Sequence, residues 1–270
     1  MSPDERRIRF RELHEAALFV MPNPWDVGSA RLLASLGFEA LATTSAGLAW
    51  SLGKLDQSVA RDELIGHVTA LAAATPLPLN VDSERCYPEA PGGVAETVVM
   101  LADAGAAGFS VEDYDPVGDR VDDVDVAAER IAVAAEVAHN LPVPMTVTGR
   151  AENHIRGVDD LDDTLARLLA YRDAGADVLY APGLTAIDDI ARVVDAVRAP
   201  INVLLLAGGP TVAELADVGV RRVSTGGALA YHAYSFLVGE AQALLAAGMY
   251  LPAEGALSRE MLTAALKPSA

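Results

Sequence analysis

Four helical stretches of this chain end on nearly the same phrase: Leu36-Gly37-Phe38, Ala104-Gly105-Ala106, Ala174-Gly175-Ala176-Asp177 and Val218-Gly219-Val220. Glycine just past a last helical turn supplies the left-handed cap, and the apolar residues after it open a buried strand. Following that punctuation along the sequence gives strand and helix in alternation. After an amphipathic helix over residues 4–16, strands are predicted over 18–21, 40–44, 78–82, 108–112, 144–148, 177–181, 201–205 and 221–225. The helices that follow them are predicted over 25–36, 58–74, 93–104, 126–140, 159–173, 184–197, 211–217 and 227–246. Eight such units with no linker or compositional break favour an α/β fold of the (β/α)8 TIM-barrel type over an open doubly wound sheet. The expected organisation is one domain over residues 1–270, with a C-terminal helical extension at about 248–270. The extra helix there, about 256–266, is not needed by a barrel and suits either a plain surface position or packing on a neighbouring subunit.

The apolar fraction of 51% is enough for a large core, and the net charge of -18 argues against nucleic acid and anionic membrane as partners. The plainer reading of that charge is solubility. Lys54 and Lys267 are the only lysines, which leaves little scope for a Schiff base. Cys86 is the single cysteine, so an internal disulfide and a cysteine-rich zinc site are both excluded. The N-terminus is charged and lacks the apolar stretch of a signal peptide, and no run approaches a bilayer span, so a cytoplasmic protein is expected.

Chemistry is concentrated where the predicted strands end. The run Leu79 to Val81 stops in Asp82 and Glu84, two carboxylates one residue apart, and like charges held close need a cation, a proton or water between them. A hard divalent ion such as Mg2+ meets that need with oxygen ligands alone, although an acidic loop start in solvent is the commoner occurrence. In a barrel the strand tips share one face. Read in order they supply Asn23 and Asp26, Thr44 and Ser45, Asp82 and Glu84, then Glu112 and Asp113. Arg150 with Glu152, Asn153 and His154 follows, then Tyr180, Asn202 and the turn Thr225-Gly226-Gly227. A cation and a fixed arginine facing one cavity suit a small anionic substrate, such as a 2-oxo or 2-hydroxy carboxylate that chelates the metal. Arg150 would grip a second carboxylate or a phosphonate in bidentate fashion, with Asn202 on the same ring. Ser45, Ala46 and Gly47, read as a small-residue turn, would offer backbone N–H groups to the anion.

The set Asn23-Pro24-Trp25-Asp26, Thr44 to Gly47, Ser51-Leu52-Gly53 with Asp56, Val81 to Glu84, Val111-Glu112-Asp113 and Gly149-Arg150 resembles the isocitrate lyase and phosphoenolpyruvate mutase superfamily over roughly residues 10–245. The resemblance implies a barrel whose last helix is swapped between the subunits of a dimer or homotetramer, and a Mg2+ (or Mn2+) ion stabilising an enolate-like intermediate. By that resemblance Asp82 binds the metal directly, and Asp56, Glu84 and Glu112 hold it directly or through water. Ser45 and Gly47 meet the substrate carboxylate, and Arg150 its anionic end. Two departures stand out. Lyases of the superfamily carry a cysteine in a Lys-x-Cys-Gly loop after the fourth strand, and the mutase branch a lysine and an asparagine. Here residues 112–123 contain none of these, and Arg120 is a poor proton donor. Cys86 also stands where the superfamily has glycine.

The expected activity is therefore that of a lyase or mutase (isomerase) which breaks or forms a C–C or P–C bond beside a carboxylate. A decarboxylase or hydrolase of oxaloacetate-like acids, or a phosphonopyruvate-type enzyme, is the alternative, and a barrel that binds a small acid without turnover is the rival. His154 is a candidate for the missing acid or base, against the commoner role of a hydrogen-bonded loop histidine. Cys86 reads more readily as a small buried residue than as a nucleophile, and Tyr114 and Tyr180 as rim packing. Thr225-Gly226-Gly227 fits a phosphate-binding turn or simply a tight connection.

Overall fold

A computed structural model describes residues 1–249 and 257–267. The first helix, α1 (Pro3–Glu15), begins with a reciprocal cap: the Ser2 hydroxyl accepts from the Glu5 N–H at 3.2 Å, and the Glu5 carboxylate from the Ser2 N–H at 2.7 Å. This helix is not part of the barrel wall. Its Phe10 and Leu13 join Phe19, Met21, Ala40, Ala42 and Ala107 in a small core of their own, closing the N-terminal end of the barrel. Arg6 and Arg7 tie it down by donating at 2.7 Å to the carbonyls of Ala72 and Ala102 near the ends of two wall helices.

The wall is built from β1 (Phe19–Met21), α2 (Val27–Ser35), β2 (Leu41–Ala42), α3 (Ser45–Ser51), α4 (Arg61–Ala74), β3 (Leu79–Asp82), α5 (Gly93–Asp103) and β4 (Gly108–Glu112). A two-stranded hairpin, β5 (Tyr114–Asp115) with β6 (Arg120–Val121), interrupts it. Then come α6 (Val124–His139), β7 (Thr146–Arg150), α7 (Leu161–Asp173), β8 (Val178–Tyr180), α8 (Ile187–Val197), β9 (Ile201–Leu204), α9 (Val212–Asp217), β10 (Arg222–Ser224), α10 (Ala228–Ala247) and α11 (Arg259–Leu266). The eight-stranded sheet runs β1-β10-β9-β8-β7-β4-β3-β2, with every pair parallel. The two ends of that order meet where the Ala42 N–H donates to the Pro22 carbonyl at 3.1 Å. The predicted (β/α)8 barrel is the observed fold.

Alternation along the strands sorts the side chains. Leu79, Val81, Phe109, Val111, Val147, Leu179, Ile201, Val203 and Val223 pack outward into the core shared with the helices. Asn80, Asp82, Ser110, Arg150, Tyr180, Asn202, Arg222 and Ser224 turn inward and line a cavity. Barrel interiors of this class are usually filled by layers of branched apolar residues, so a polar interior marks a space meant for something hydrophilic.

Two local expectations are corrected. Ser45 to Gly47 is the first turn of α3, not a loop, because Thr44 caps it: its hydroxyl oxygen accepts from the Gly47 N–H at 3.3 Å. Residues 112–123, read above as the counterpart of the superfamily's loop, contain the β5–β6 hairpin. Arg85 and Arg130 hold it down at Asp122 (3.2 and 2.6 Å), and Arg156 stacks on the Tyr114 ring. Ala230 is the only residue that α10 buries; Tyr231, Phe236, Leu237 and Leu245 are exposed, so α10 projects from the barrel. The extension predicted at 248–270 lies outside the described residues at 250–256 and 268–270. Within it α11 packs on α2, where Arg31 donates to the Leu266 carbonyl at 3.3 Å.

Candidate active site

The cavity at the C-terminal ends of the strands has a volume of about 170 Å³. Arg150, at the tip of β7, is its centre. Its Nη1 lies 3.4 Å from Asp82 Oδ1 and 3.3 Å from Glu112 Oε2, its Nε donates to Glu152 Oε1 at 2.5 Å, and its guanidinium sits 5.3 Å from the Tyr180 ring centroid. Ladder pairing sets this geometry: Glu112 on β4 and Tyr180 on β8 are the register partners of Arg150 on either side.

Negative charge exceeds positive around it. Asp56 and Glu84 face the same group, and both are raised, chiefly by burial and then by the neighbouring carboxylates; Glu84 is pushed up to about 8. Burial also raises Glu112, against the pull of Arg150. Burial works against the Arg150 charge, but Glu152, Glu112 and Asp82 hold the guanidinium well above its ordinary range. Glu84 Oε1 is buried without a hydrogen-bond partner, and so is Glu112 Oε2, whose companion oxygen accepts from Gln57 Nε2 at 2.8 Å. Crowded carboxylates with unsatisfied buried oxygens are the donor set a hard divalent cation would fit. Among the described residues no three acidic, imidazole or thiol groups are already gathered on one point. Arg150 stands between Asp82 and Glu112.

Of the residues singled out from sequence, Ser45, Ala46, Asp56, Asp82, Arg150 and Asn202 line the cavity, and Glu84 and Glu112 lie against this group. Two of the expected N–H donors are already engaged: Ser45 donates to Asp82 Oδ2 at 3.0 Å and Gly47 to Thr44. Gly47 is off the cavity lining, and a Cβ there would stand 2.6 Å from Thr44 Cγ2 and 2.8 Å from Trp25 Cβ, so its glycine serves helix packing. Asn202 is buried with its amide committed to Ser224 and Arg222. His154 is not on the cavity lining either; its Nδ1 faces Asp159 at 3.2 Å and its backbone packs on Gly183.

Asp26 is an N-cap for α2, accepting from the Ser29 N–H at 2.6 Å. Thr225 and Gly226 donate to Asn23 Oδ1 at 2.9 and 3.0 Å while Asn23 Nδ2 donates to the Thr43 carbonyl. The turn is thus a staple across the barrel seam, with the Thr225 and Gly226 N–H groups taken by Asn23, and with Gly227 on the cavity lining. Cys86 is fully buried in the core, with burial pushing its thiol up to about 12. Arg120 is exposed on the hairpin.

Gln57 and Arg222 were not foreseen. Gln57 gives no sign in the sequence, since it reaches Glu112 from a loop; Arg222, an arginine inside a predicted buried strand, was a signal available to read.

Comparison with known proteins supplies an independent line. The sequence model of the phosphoenolpyruvate phosphomutase family matches residues 10–245. A crystal structure from Burkholderia cenocepacia J2315, provisionally assigned as a lyase/mutase, is 47% identical, covers 97% of this chain and 96% of its own, and superposes with a TM-score of 0.92. An oxaloacetate decarboxylase of Paraburkholderia xenovorans is 32% identical over 83% of this chain and 76% of that protein. An oxaloacetate acetylhydrolase structure, 27% identical, covers 98% of this chain and 95% of that one with a TM-score of 0.86.

Proposed function

The chain belongs to the isocitrate lyase and phosphoenolpyruvate mutase superfamily, a family of lyases and mutases; from that premise we propose that it cleaves a C–C bond next to the carboxylate of a short 2-oxo or 2-hydroxy acid, with Mg2+ or Mn2+ as cofactor. The supporting observation is the surplus of buried carboxylate around Arg150, with Glu84 Oε1 lacking a hydrogen-bond partner and Glu112 Oε2 meeting Arg150 Nη1 at 3.3 Å without one. In this reading Asp82 holds the ion directly, Asp56, Glu84 and Glu112 hold it directly or through water, and the ion stabilises an enolate when bound.

The chain's own residues do the rest. Arg150, fixed by Glu152 and Tyr180, grips the anionic end of the acid and sets the scissile bond out of the enolate plane. Ser45 and Ala46 face the substrate carboxylate, with the Ser45 N–H exchanging Asp82 for the ligand or sharing it. The pocket brings no cysteine or lysine to the bond: Cys86 is in the core, and Lys54 is paired with Glu63 at 2.6 Å. This favours an oxaloacetate-type substrate, whose decarboxylation passes the bonding pair into an enolate, releases CO2, and takes its final proton from water. A loop acid is needed to cleave the larger hydroxy acids, and His154, next to the lining residue Ile155 with its Nδ1 facing Asp159, is the candidate for that role.

Turnover of oxaloacetate, 2-methylisocitrate, dimethylmalate and phosphonopyruvate, each with Mg2+ and with chelator, tests the reading. Metal-dependent pyruvate formation from oxaloacetate is expected. Catalysis indifferent to chelator removes the metal from it. Phosphonopyruvate turnover would establish the P–C alternative, and metal-dependent thermal stabilisation by an acid without turnover would establish the binding barrel.

Self-association through α10 belongs to the same proposal. Its exposed Tyr231, Phe236, Leu237 and Leu245 suit exchange of the helix between subunits of a dimer or tetramer. No described helix is long and apolar enough to cross a membrane, and a cytoplasmic site of action is proposed with it.

A further inference from the structure

Below the rim, the cavity floor carries a charge with no counter-charge. Arg222, on β10, is 1% exposed, yet its guanidinium lines the same cavity as Ser45 and Arg150. Its Nε donates to Asn202 Oδ1 at 3.0 Å, its Nη2 to Thr148 Oγ1 at 3.0 Å, and its Nη1 meets His14 Nε2 at 3.3 Å. All three partners are neutral. The His14 Nδ1 lies 2.8 Å from the Phe10 carbonyl and so carries the proton, while burial and the Arg222 charge hold the imidazole down at about 3.

The other buried arginines are provided for differently. Arg130 meets Asp122 at 2.6 Å, and Arg6 and Arg7 donate to helix-end carbonyls. Among the described residues no carboxylate is ion-paired with Arg222, and burial pulls its guanidinium down to about 9. A guanidinium has five N–H groups, of which three are used here; one on each terminal nitrogen is left over. An uncompensated buried cation is strongly disfavoured unless something neutralises it.

Register explains how this floor relates to the rim. Arg150, Tyr180, Asn202 and Arg222 are successive ladder partners across β7, β8, β9 and β10. Because barrel strands tilt by about 36° to the axis, such a line descends into the interior as it passes from strand to strand. The two arginines therefore stand at opposite depths of one small cavity, joined by Tyr180, which hydrogen-bonds Ser224, and by Asn202, which donates to the same Ser224 oxygen at 2.9 Å.

We infer that the barrel floor is an anion site in which the free N–H groups of Arg222 receive one carboxylate of the substrate, so that the cavity takes a short dicarboxylate by both ends. The inference rests on the reading of this cavity as the site of a small acid, and it narrows that acid from carboxylates in general to compact dianions. Arg222 acts here as a specificity determinant, and Asn202, Thr148 and His14 as the groups that hold its fork in place.

Calorimetric titration of the Mg2+-loaded full chain in chloride-free buffer with malonate and with pyruvate, for the wild type and Arg222→Met, tests it without depending on turnover. Malonate affinity is expected to fall at least 30-fold in the variant while pyruvate affinity changes less than 3-fold. The ligand-free variant is expected to melt no lower than the wild type, since the uncompensated charge has gone. Equal losses for both acids, no loss for either, or stabilisation of the wild type by chloride alone with unchanged malonate binding would overturn the inference. Wild-type crystals soaked in bromide give a second measurement, needed if Arg222→Met does not fold or if neither acid binds the wild type. Bromide within hydrogen-bonding distance of Nη1 and Nη2 is expected, and a floor without it overturns the site. Failure of both acids to bind, with bromide at the floor, would count against the enzymatic reading and not against the anion site.

Discussion

Asp82, Glu84 and Glu112 were marked by their place at strand tips, and their burial turns that mark into an energetic statement. Glu84 is raised to about 8 from the ordinary range near 4.3, so the folded protein retains its proton where the unfolded chain has lost it. Its contribution to stability is complete below about pH 4.3 and is lost as pH rises through 8. Metal-free protein should therefore melt at progressively lower temperature between pH 5 and pH 8, and saturating Mg2+ should flatten that slope by binding the ionised form; a pH series of melting curves with and without Mg2+ checks both. At the same scale, Arg150→Lys keeps a charge but loses the fork that reaches Asp82, Glu112 and Glu152. Roughly a 10²-fold loss in kcat/KM is expected, with the fold intact by circular dichroism.

The elements show how that site is held. The β5–β6 hairpin occupies the segment after β4, and the pairing of Arg85 and Arg130 with Asp122 fastens it to the loop after β3 and to α6. At the other end, α1 closes the barrel because β4 begins with glycine. A Cβ at Gly108 would meet the Thr146 carbonyl oxygen at 2.7 Å and Phe10 Cε1 at 2.8 Å, and backbone cannot yield as a side chain can. Gly108→Ala should cost about 2–3 kcal/mol in urea unfolding. Gly47→Ala is expected to disturb the seat of α3 against Trp25 in the same way.

For the molecule as a whole, one barrel brings the acidic tips, the rim arginine and the floor arginine to one cavity, while α10 carries its apolar side chains away from it. Sedimentation of the wild type should give a dimer or larger, and Phe236→Asp with Leu237→Asp should yield a smaller species. A monomeric wild type would dismiss the proposed exchange of α10.

The architecture was legible because its signals are local: alternation at i, i+2, helical periodicity, and glycines such as Gly105 and Gly175 with φ of 94° and 101° just past their helices. The acidic tips were legible for the same reason, since a strand end is a position in sequence. Tertiary structure decided which of the polar groups were still free. The Ser45 N–H is taken by a carboxylate 37 residues away, and the Thr225 and Gly226 N–H groups by an asparagine more than 200 residues earlier. It likewise left Arg222 facing only neutral partners, one of them 208 residues distant in α1. Hydrogen bonds and charge compensation depend on closing the barrel, which joins β1 to β10 across nearly the whole chain, and no local pattern carries that information.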